Sequence, residues 1–305
     1  MTPSSRRQTT FAPPSTQALL ILWLVVCLFF ATWPQIDLIV ARQFYNPETN
    51  HWPVADSALL QQLRETFWLG LNLMALGLLA MTLQGVFTRR AMQIPLRIWA
   101  YGLTLVLLGP GLLVNLVLKS HWGRARPAQL EIFGGSAQFT PPLQITDQCA
   151  SNCSFVSGEA AFTVTGIIIV GLLLWHVVPQ HRRRWLLGVL ITIALTVASL
   201  RVMKGRHFLS DVVWSFVLMT TMATLLARLF RLRSIHHLVT ADAFRADLAT
   251  LREELRSHSQ ILITFVIHLK RPASICFERI SQAFMRSLHH ERPANIERSV
   301  SSEDP

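Results

Sequence analysis

Apolar and polar stretches alternate along this chain with a long period. Six apolar runs stand out, at residues 17–33, 67–87, 98–118, 160–178, 185–202 and 212–230. Each is roughly 17 to 22 residues long, enough to cross a bilayer hydrocarbon core as an α-helix. The pattern predicts an all-α membrane protein, a bundle of six transmembrane helices over residues 17–230. Residues 1–16 are polar and rich in Pro and Ser, and read as a disordered cytoplasmic N-terminus. The first run lacks a small-x-small cleavage pattern after it, so it reads as a retained anchor. Residues 36–67 are mixed, with turns at Asn46-Pro47 and Trp52-Pro53, and predict a short loop with an interfacial helix. Residues 231–305 form a cytoplasmic, partly helical tail. In it Leu248, Leu251 and Leu255 fall at helical spacing, and the apolar stretch 260–269 is too short to span.

Composition agrees with this reading. Hydrophobic residues make up 51% of the 305 and charged residues only 15%, against about 25% charged in soluble domains. The net charge is +11, carried mainly by Arg clusters between apolar runs. Clusters at the start, after the second run, after the fourth and after the sixth all fall on one side of a six-span bundle. The positive-inside rule makes that side cytoplasmic. No basic stripe interleaved with aromatics is present, so nucleic acid is not the expected partner. Spans free of charge at mid-depth argue against a transporter.

Two polar segments lie on the other face, 119–157 and 201–211, and they too carry Lys and Arg. That excess needs a reason other than topology. Cys149 and Cys153 sit in the longer segment with no further ligands at zinc spacing. Outside the cytoplasm they could close a short disulfide.

Three clusters in these segments carry the chemistry: Lys119 to Arg126-Pro127, then Ser154 to Glu159, then Arg201 to His207 and Asp211. Lys119, Arg126 and Arg201 are donors suited to phosphate oxygens. Ser157 and Gly158 open a helix whose free N–H groups favour an anion. His207 and Asp211 are four residues apart at a helix start, so Asp211 is positioned to hold one ring nitrogen while the other attacks. Lys204, Arg206 and Arg124 read as solvated, or alternatively as contacts to extra phosphates or an anionic membrane surface.

The spacing Lys-x6-Arg-Pro, Ser-Gly-x and Arg-x5-His-x3-Asp resembles the type 2 phosphatidic acid phosphatase (PAP2) superfamily, over the six-span region and not the tail. The resemblance implies a metal- and cofactor-independent phosphatase acting on a lipid phosphate at the periplasmic ends of helices 3–6, in a bacterial inner membrane with both termini cytoplasmic. Lys119, Arg126, Arg201, Ser157 and Gly158 would bind phosphate. His207 would form a phosphohistidine, with Asp211 polarising it. Two positions depart from the family pattern. Leu200 precedes Arg201 where Ser is usual, and Glu159 replaces the second-motif His thought to protonate the leaving group. Glu159 could take that role only with a raised pKa; His121 is another candidate donor. If neither serves, a leaving group stable as an anion is expected. Candidate substrates are polyprenyl diphosphate, lipid A, phosphatidylglycerol phosphate and phosphatidic acid. The alternatives are a lipid phosphotransferase or an inactive binder of anionic lipids.

Overall fold

The structure is a computed structural model that describes residues 14–87, 92–257 and 259–260. Residues 1–248 form one compact unit and 249–305 another. In the second unit residues 249–257 are helical. The N-terminal tail up to residue 13 and the apolar stretch after residue 260 lie outside the described residues. Among the described residues the fold is helical, and the only strand-like pairings are isolated bridges, Asn46 with His51 and Leu130 with Ala137.

Helices α1 (Thr16–Thr32) and α2 (Ile36–Arg42) meet at a 74° bend. Then come α3 (Ala58–Phe87), α4 (Leu96–His121), α5 (Gly158–Leu174), α6 (Arg183–Met203) and α7 (Leu209–Leu229). Four helices, α3, α4, α6 and α7, are long and apolar enough to cross a membrane, and the bent pair α1 and α2 makes a fifth candidate. The α5 helix is apolar but only 17 residues long. The broad expectation of an apolar helical bundle therefore holds.

Two boundaries differ from the hydropathy reading. The α3 helix begins at Ala58, nine residues before the apolar run at 67, because the polar residues Gln61, Gln62, Arg64 and Glu65 are good helix formers and extend it. This extension carries Arg64 to the site. The segment read as interfacial instead includes α2, which turns back at Pro34 and buries Asp37 and Ala41.

The helices α5 and α7 are the most enclosed. Small residues on α5 (Ala160, Ala161, Gly166) are buried along with Trp214, Val217 and Met219 of α7. The outer faces of α1, α3 and α6 expose Leu, Ile and Val instead (Leu24, Leu73, Leu195), as a lipid-facing surface does. In α4, residues Leu107–Leu118 are wound as π-helix around Pro110, which has no N–H to give to the ladder.

The segment after α4 turns at Gly123, whose φ is +69° and where a Cβ would run into the Thr146 carbonyl. Only glycine fits that turn, and it sends the chain back as Arg124-Ala125-Arg126 over the ends of the helices. At the opposite end of the unit, both carboxylate oxygens of Asp247 accept backbone N–H groups ahead of α4, from Gln93 (2.8 Å) and Ile94 (2.9 Å). Asp247→Ala removes both acceptors from a site where Ile94 is fully buried. It should lower stability by about 1–3 kcal/mol, read as a lower thermal midpoint in detergent.

Candidate active site

The start of α5, the end of α4, the end of α6 and the start of α7 meet at one end of the bundle. His207 lies there, 1% exposed, in the turn between α6 and α7. Its Nδ1 is 2.8 Å from the carbonyl oxygen of Ser154. A carbonyl only accepts, so Nδ1 carries the proton and Nε2 keeps its lone pair. Asp211 Oδ2 is 3.7 Å from the same Nδ1, beyond hydrogen-bond reach. The carboxylate thus acts on the ring through its charge, and the group that sets the tautomer is Ser154. Burial pushes the His207 pKa down to about 4, with the positive charges of Arg201 and Lys119 acting in the same direction and Asp211 opposing.

Beneath the imidazole lies a dry ion network. Arg124 Nη1 donates to Asp211 Oδ1 (2.6 Å) and to Ser210 Oγ (2.8 Å), Nη2 to Asp37 Oδ2 (2.8 Å), and Nε to the Thr140 carbonyl (2.9 Å). Its guanidinium lies 4.3 Å from the Phe208 ring centroid. Asp211 Oδ2 also accepts from Ser154 Oγ (2.5 Å) and from the Phe208 N–H (2.8 Å), which caps α7. Ser210 donates its hydroxyl to Asp37 Oδ2 and its N–H to Asp37 Oδ1 (2.8 Å). The side chains of Arg124, Asp37 and Asp211 are all 0% exposed. Arg124, read from sequence as solvated, is thus the most deeply buried cation of the site: two carboxylates and an aromatic face replace its water. Lys204 is also buried rather than solvated, 7% exposed, while Arg206 is exposed as expected.

The mouth of the site is cationic. Gly158 is placed so that a Cβ would come within 3.1 Å of Lys119 Nζ and 3.0 Å of Asn115 Oδ1. The missing side chain lets the ammonium lie on the N-terminus of α5. Ser157, fully buried, caps that helix by accepting the Ala160 N–H at 3.4 Å. Arg126 Nη2 donates to the carbonyl (2.7 Å) and side chain (2.9 Å) of Asn152, within the loop closed by the Cys149–Cys153 disulfide. Burial and the neighbouring Arg206 lower the Arg126 pKa. Arg201 Nη1 pairs with Glu159 Oε1 at 3.1 Å, but its Nε is buried without an acceptor among the described residues. Such a donor is costly unless a ligand completes it.

Glu159 is bridged rather than free. Its Oε1 also accepts from Arg64 Nε (2.9 Å) and Nη2 (2.7 Å). His121 turns back on its own helix, Nδ1 to the Val117 carbonyl at 2.8 Å. The described residues contain no group of three or more His, Cys, Asp or Glu disposed to hold a metal ion.

The structure thus brings together His207, Asp211, Lys119, Arg126, Ser157, Gly158, Arg201 and Glu159. Sequence reasoning missed Asp37, Arg64, Arg124, Ser154 and Ser210. Asp37 did leave a signal, as an acid inside the apolar stretch Ile36–Val40, where an unpaired charge is expensive. The partners of Ser154 lie 53 and 57 residues away, and no local pattern announces them.

A family model described as the PAP2 superfamily matches residues 97–235. Three curated relatives, each named a lipid A 4'-phosphatase, are similar to this chain. The protein from Rhizobium etli is 45% identical over 111 residues, 36% of this chain and 41% of its own length. That from Rhizobium leguminosarum is 46% identical over 108 residues, 35% and 44% of the two chains. The chain thus spans less than half the length of these two. The protein from Francisella tularensis subsp. novicida is 32% identical over 211 residues, 64% of this chain and 88% of its own. No solved structure matches the chain.

Removing the central cation tests the network. Arg124→Ala leaves two buried carboxylates facing each other and should cost about 3–5 kcal/mol, measured by denaturant or thermal unfolding. Arg124→Lys should recover little of this, since an ammonium cannot fork to both acids. Arg126→Ala, at the mouth, should stay within about 1 kcal/mol of the parent.

Proposed function

The chain belongs to the PAP2 superfamily, and on that premise we propose that it is a membrane phosphatase that takes phosphate from a lipid head group onto His207. The observation that carries this reading is the committed tautomer: a buried imidazole with Nδ1 on the Ser154 carbonyl and the Nε2 lone pair available. Nε2 attacks phosphorus as the bond from phosphorus to the lipid oxygen breaks, the departing oxygen takes its proton from water, and a further water then cleaves the phosphohistidine to free imidazole and phosphate. The ring gains positive charge on attack, and the Asp211 carboxylate 3.7 Å from Nδ1 stabilises it. Lys119, Arg126 and Arg201, with Ser157 and the Gly158 N–H, neutralise the phosphate oxygens. Arg201 is held for this by Glu159, whose Oε1 lies 3.1 Å from its Nη1.

The relatives are named for lipid A, so a lipid A phosphate is the first substrate to test. A lipid diphosphate is the second reading, favoured by one observation. The Glu159 carboxylate accepts from two guanidiniums and is better placed to orient Arg201 than to hand a proton to an alkoxide. A leaving phosphate needs no such proton. Transfer of the phosphate to a lipid acceptor is the close variant, and product analysis with an added acceptor separates it from hydrolysis.

In this reading α1 and α5 complete six spans. The site faces the periplasm of a bacterial inner membrane and both termini are cytoplasmic. The Arg residues within 182–184 and 228–233, at the far ends of helices that lead to the site, and the disulfide in the site's loop support that orientation.

Phosphate release from lipid A and from polyprenyl diphosphate tests the function. His207→Ala should reduce it about a thousandfold or more. Since neutral imidazole is the attacking form and its pKa is held at about 4, kcat/KM should stay level as pH falls through 6.5 and decline only near 4. A decline centred on 6.5 in kcat at saturating substrate, where ionisation of the free phosphate no longer enters, would contradict the buried nucleophile. Glu159→Gln should raise KM about tenfold while leaving the alkaline side of the pH profile unchanged. Loss of an alkaline limb would instead assign Glu159 as the acid.

A further inference from the structure

A groove of about 250 Å³ runs down the bundle from the site, walled by α3 and α6 and floored by α5. Its upper end is polar. Arg64 of α3, Glu159 of α5 and Arg201 of α6 meet there through the bridging carboxylate, with Lys204 beside them. Below this bridge the surface is mainly apolar, formed by Phe67, Leu71, Ile193 and Val197 with Thr163, Thr192 and Thr196. Two of the three threonine hydroxyls are engaged by their own helices. The Thr163 hydroxyl donates to the Glu159 carbonyl (2.7 Å) and the Thr192 hydroxyl to the Gly188 carbonyl (2.9 Å).

From Arg64 to Leu71, and from Arg201 to Thr192, the helical rise makes the apolar part about 11 to 14 Å long, room for roughly eight to ten methylenes. One end is shut by ions and the sides are hydrocarbon. A polar ligand would find few partners along these walls, whereas an alkyl chain hanging from an anionic group fits both ends. Arg64, Arg201 and Lys204 against Glu159 leave an excess of positive charge at the mouth, which suits a phosphate above the chain.

We propose that this groove holds one acyl chain of the lipid whose phosphate enters the cationic cradle, with the Arg64–Glu159–Arg201 bridge as the fixed point where chain and head group part. The proposal rests on the phosphatase reading above and adds to it where the lipid lies. Arg201 belongs to both halves, since its Nη1 is held on the groove side by Glu159 while its carbonyl accepts the His207 N–H at 3.2 Å. A chain leaving the bilayer for the groove exchanges one hydrocarbon surroundings for another, so burial itself gains little. The groove therefore contributes register, fixing how far the phosphate stands above the bridge.

Photolabelling tests this without requiring turnover. The full chain carrying His207→Ala is reconstituted in phosphatidylcholine bilayers with a trace of phosphatidic acid bearing a diazirine partway down one chain. A parallel sample carries phosphatidylcholine with the same diazirine chain. Adducts are mapped by mass spectrometry. Adducts on Phe67, Thr163, Ile193 and Val197 should be about tenfold more abundant with the phosphatidic acid probe, while Leu24, on the exposed face of α1, should label equally with both. Val197→Trp, and independently Ile193→Trp, should bring groove labelling down to the Leu24 level with an unchanged thermal midpoint. Equal labelling of the groove by both probes, or a pattern unmoved in the variants that keep their midpoint, overturns the proposal. Phosphate release by the unmodified chain is scored separately. Its absence alongside head-group-dependent labelling would sink the phosphatase reading and leave the groove assignment standing.

Discussion

The buried guanidinium of Arg124 ties three parts of the chain that otherwise have no reason to meet. It reaches Asp37 on α2 and Asp211 on α7 from the turn after α4, and its own backbone carbonyl receives the Ser154 N–H at 2.8 Å. Ser154 then gives its hydroxyl to Asp211 and its carbonyl to His207. Taking three charges out of water is expensive, and only the near-complete hydrogen bonding around them offsets it. The return is rigidity. An imidazole held by a carbonyl that is itself held by a charged network has one orientation and one tautomer.

Charge bookkeeping at this depth also has a chemical sense. Two carboxylates and one guanidinium leave a formal charge of −1 beneath the ring, and the cations Lys119, Arg126 and Arg201 stand at the mouth. In the proposed reaction an imidazole between them would meet an anionic phosphate from the cationic side and have its developing positive charge stabilised from the anionic side. Since Asp211 lies beyond hydrogen-bond reach of Nδ1, this second effect is one of field, and the hydrogen bond that orients the ring is supplied by a backbone carbonyl instead.

Glu159 marks where this chain departs from the pattern that its motifs resemble. A histidine there could carry a proton on and off. The glutamate is instead pinned by guanidiniums from α3 and α6, so three helices are joined at the level where a lipid head group would give way to its chains. The same residue thus belongs to the cradle and to the wall of the apolar groove, and a change at 159 bears on geometry on both sides.

Much was legible in the residues alone. Apolar run length dictates helices, because no other element satisfies its own backbone in hydrocarbon. The three polar clusters between runs named the groups at the mouth, since Lys119, Arg126, Arg201 and the Ser157-Gly158 helix entry need only their type and their position at helix ends to favour an anion. What tertiary structure decided was pairing. Arg124 and Arg126 are two residues apart and chemically identical, yet one is sealed beneath His207 between Asp37 and Asp211 and the other lies at the mouth against Asn152. Nothing local distinguishes them. Likewise Asp37, Arg64 and Ser154 find partners 53 or more residues away, and such contacts exist only once helices distant in sequence have packed side by side.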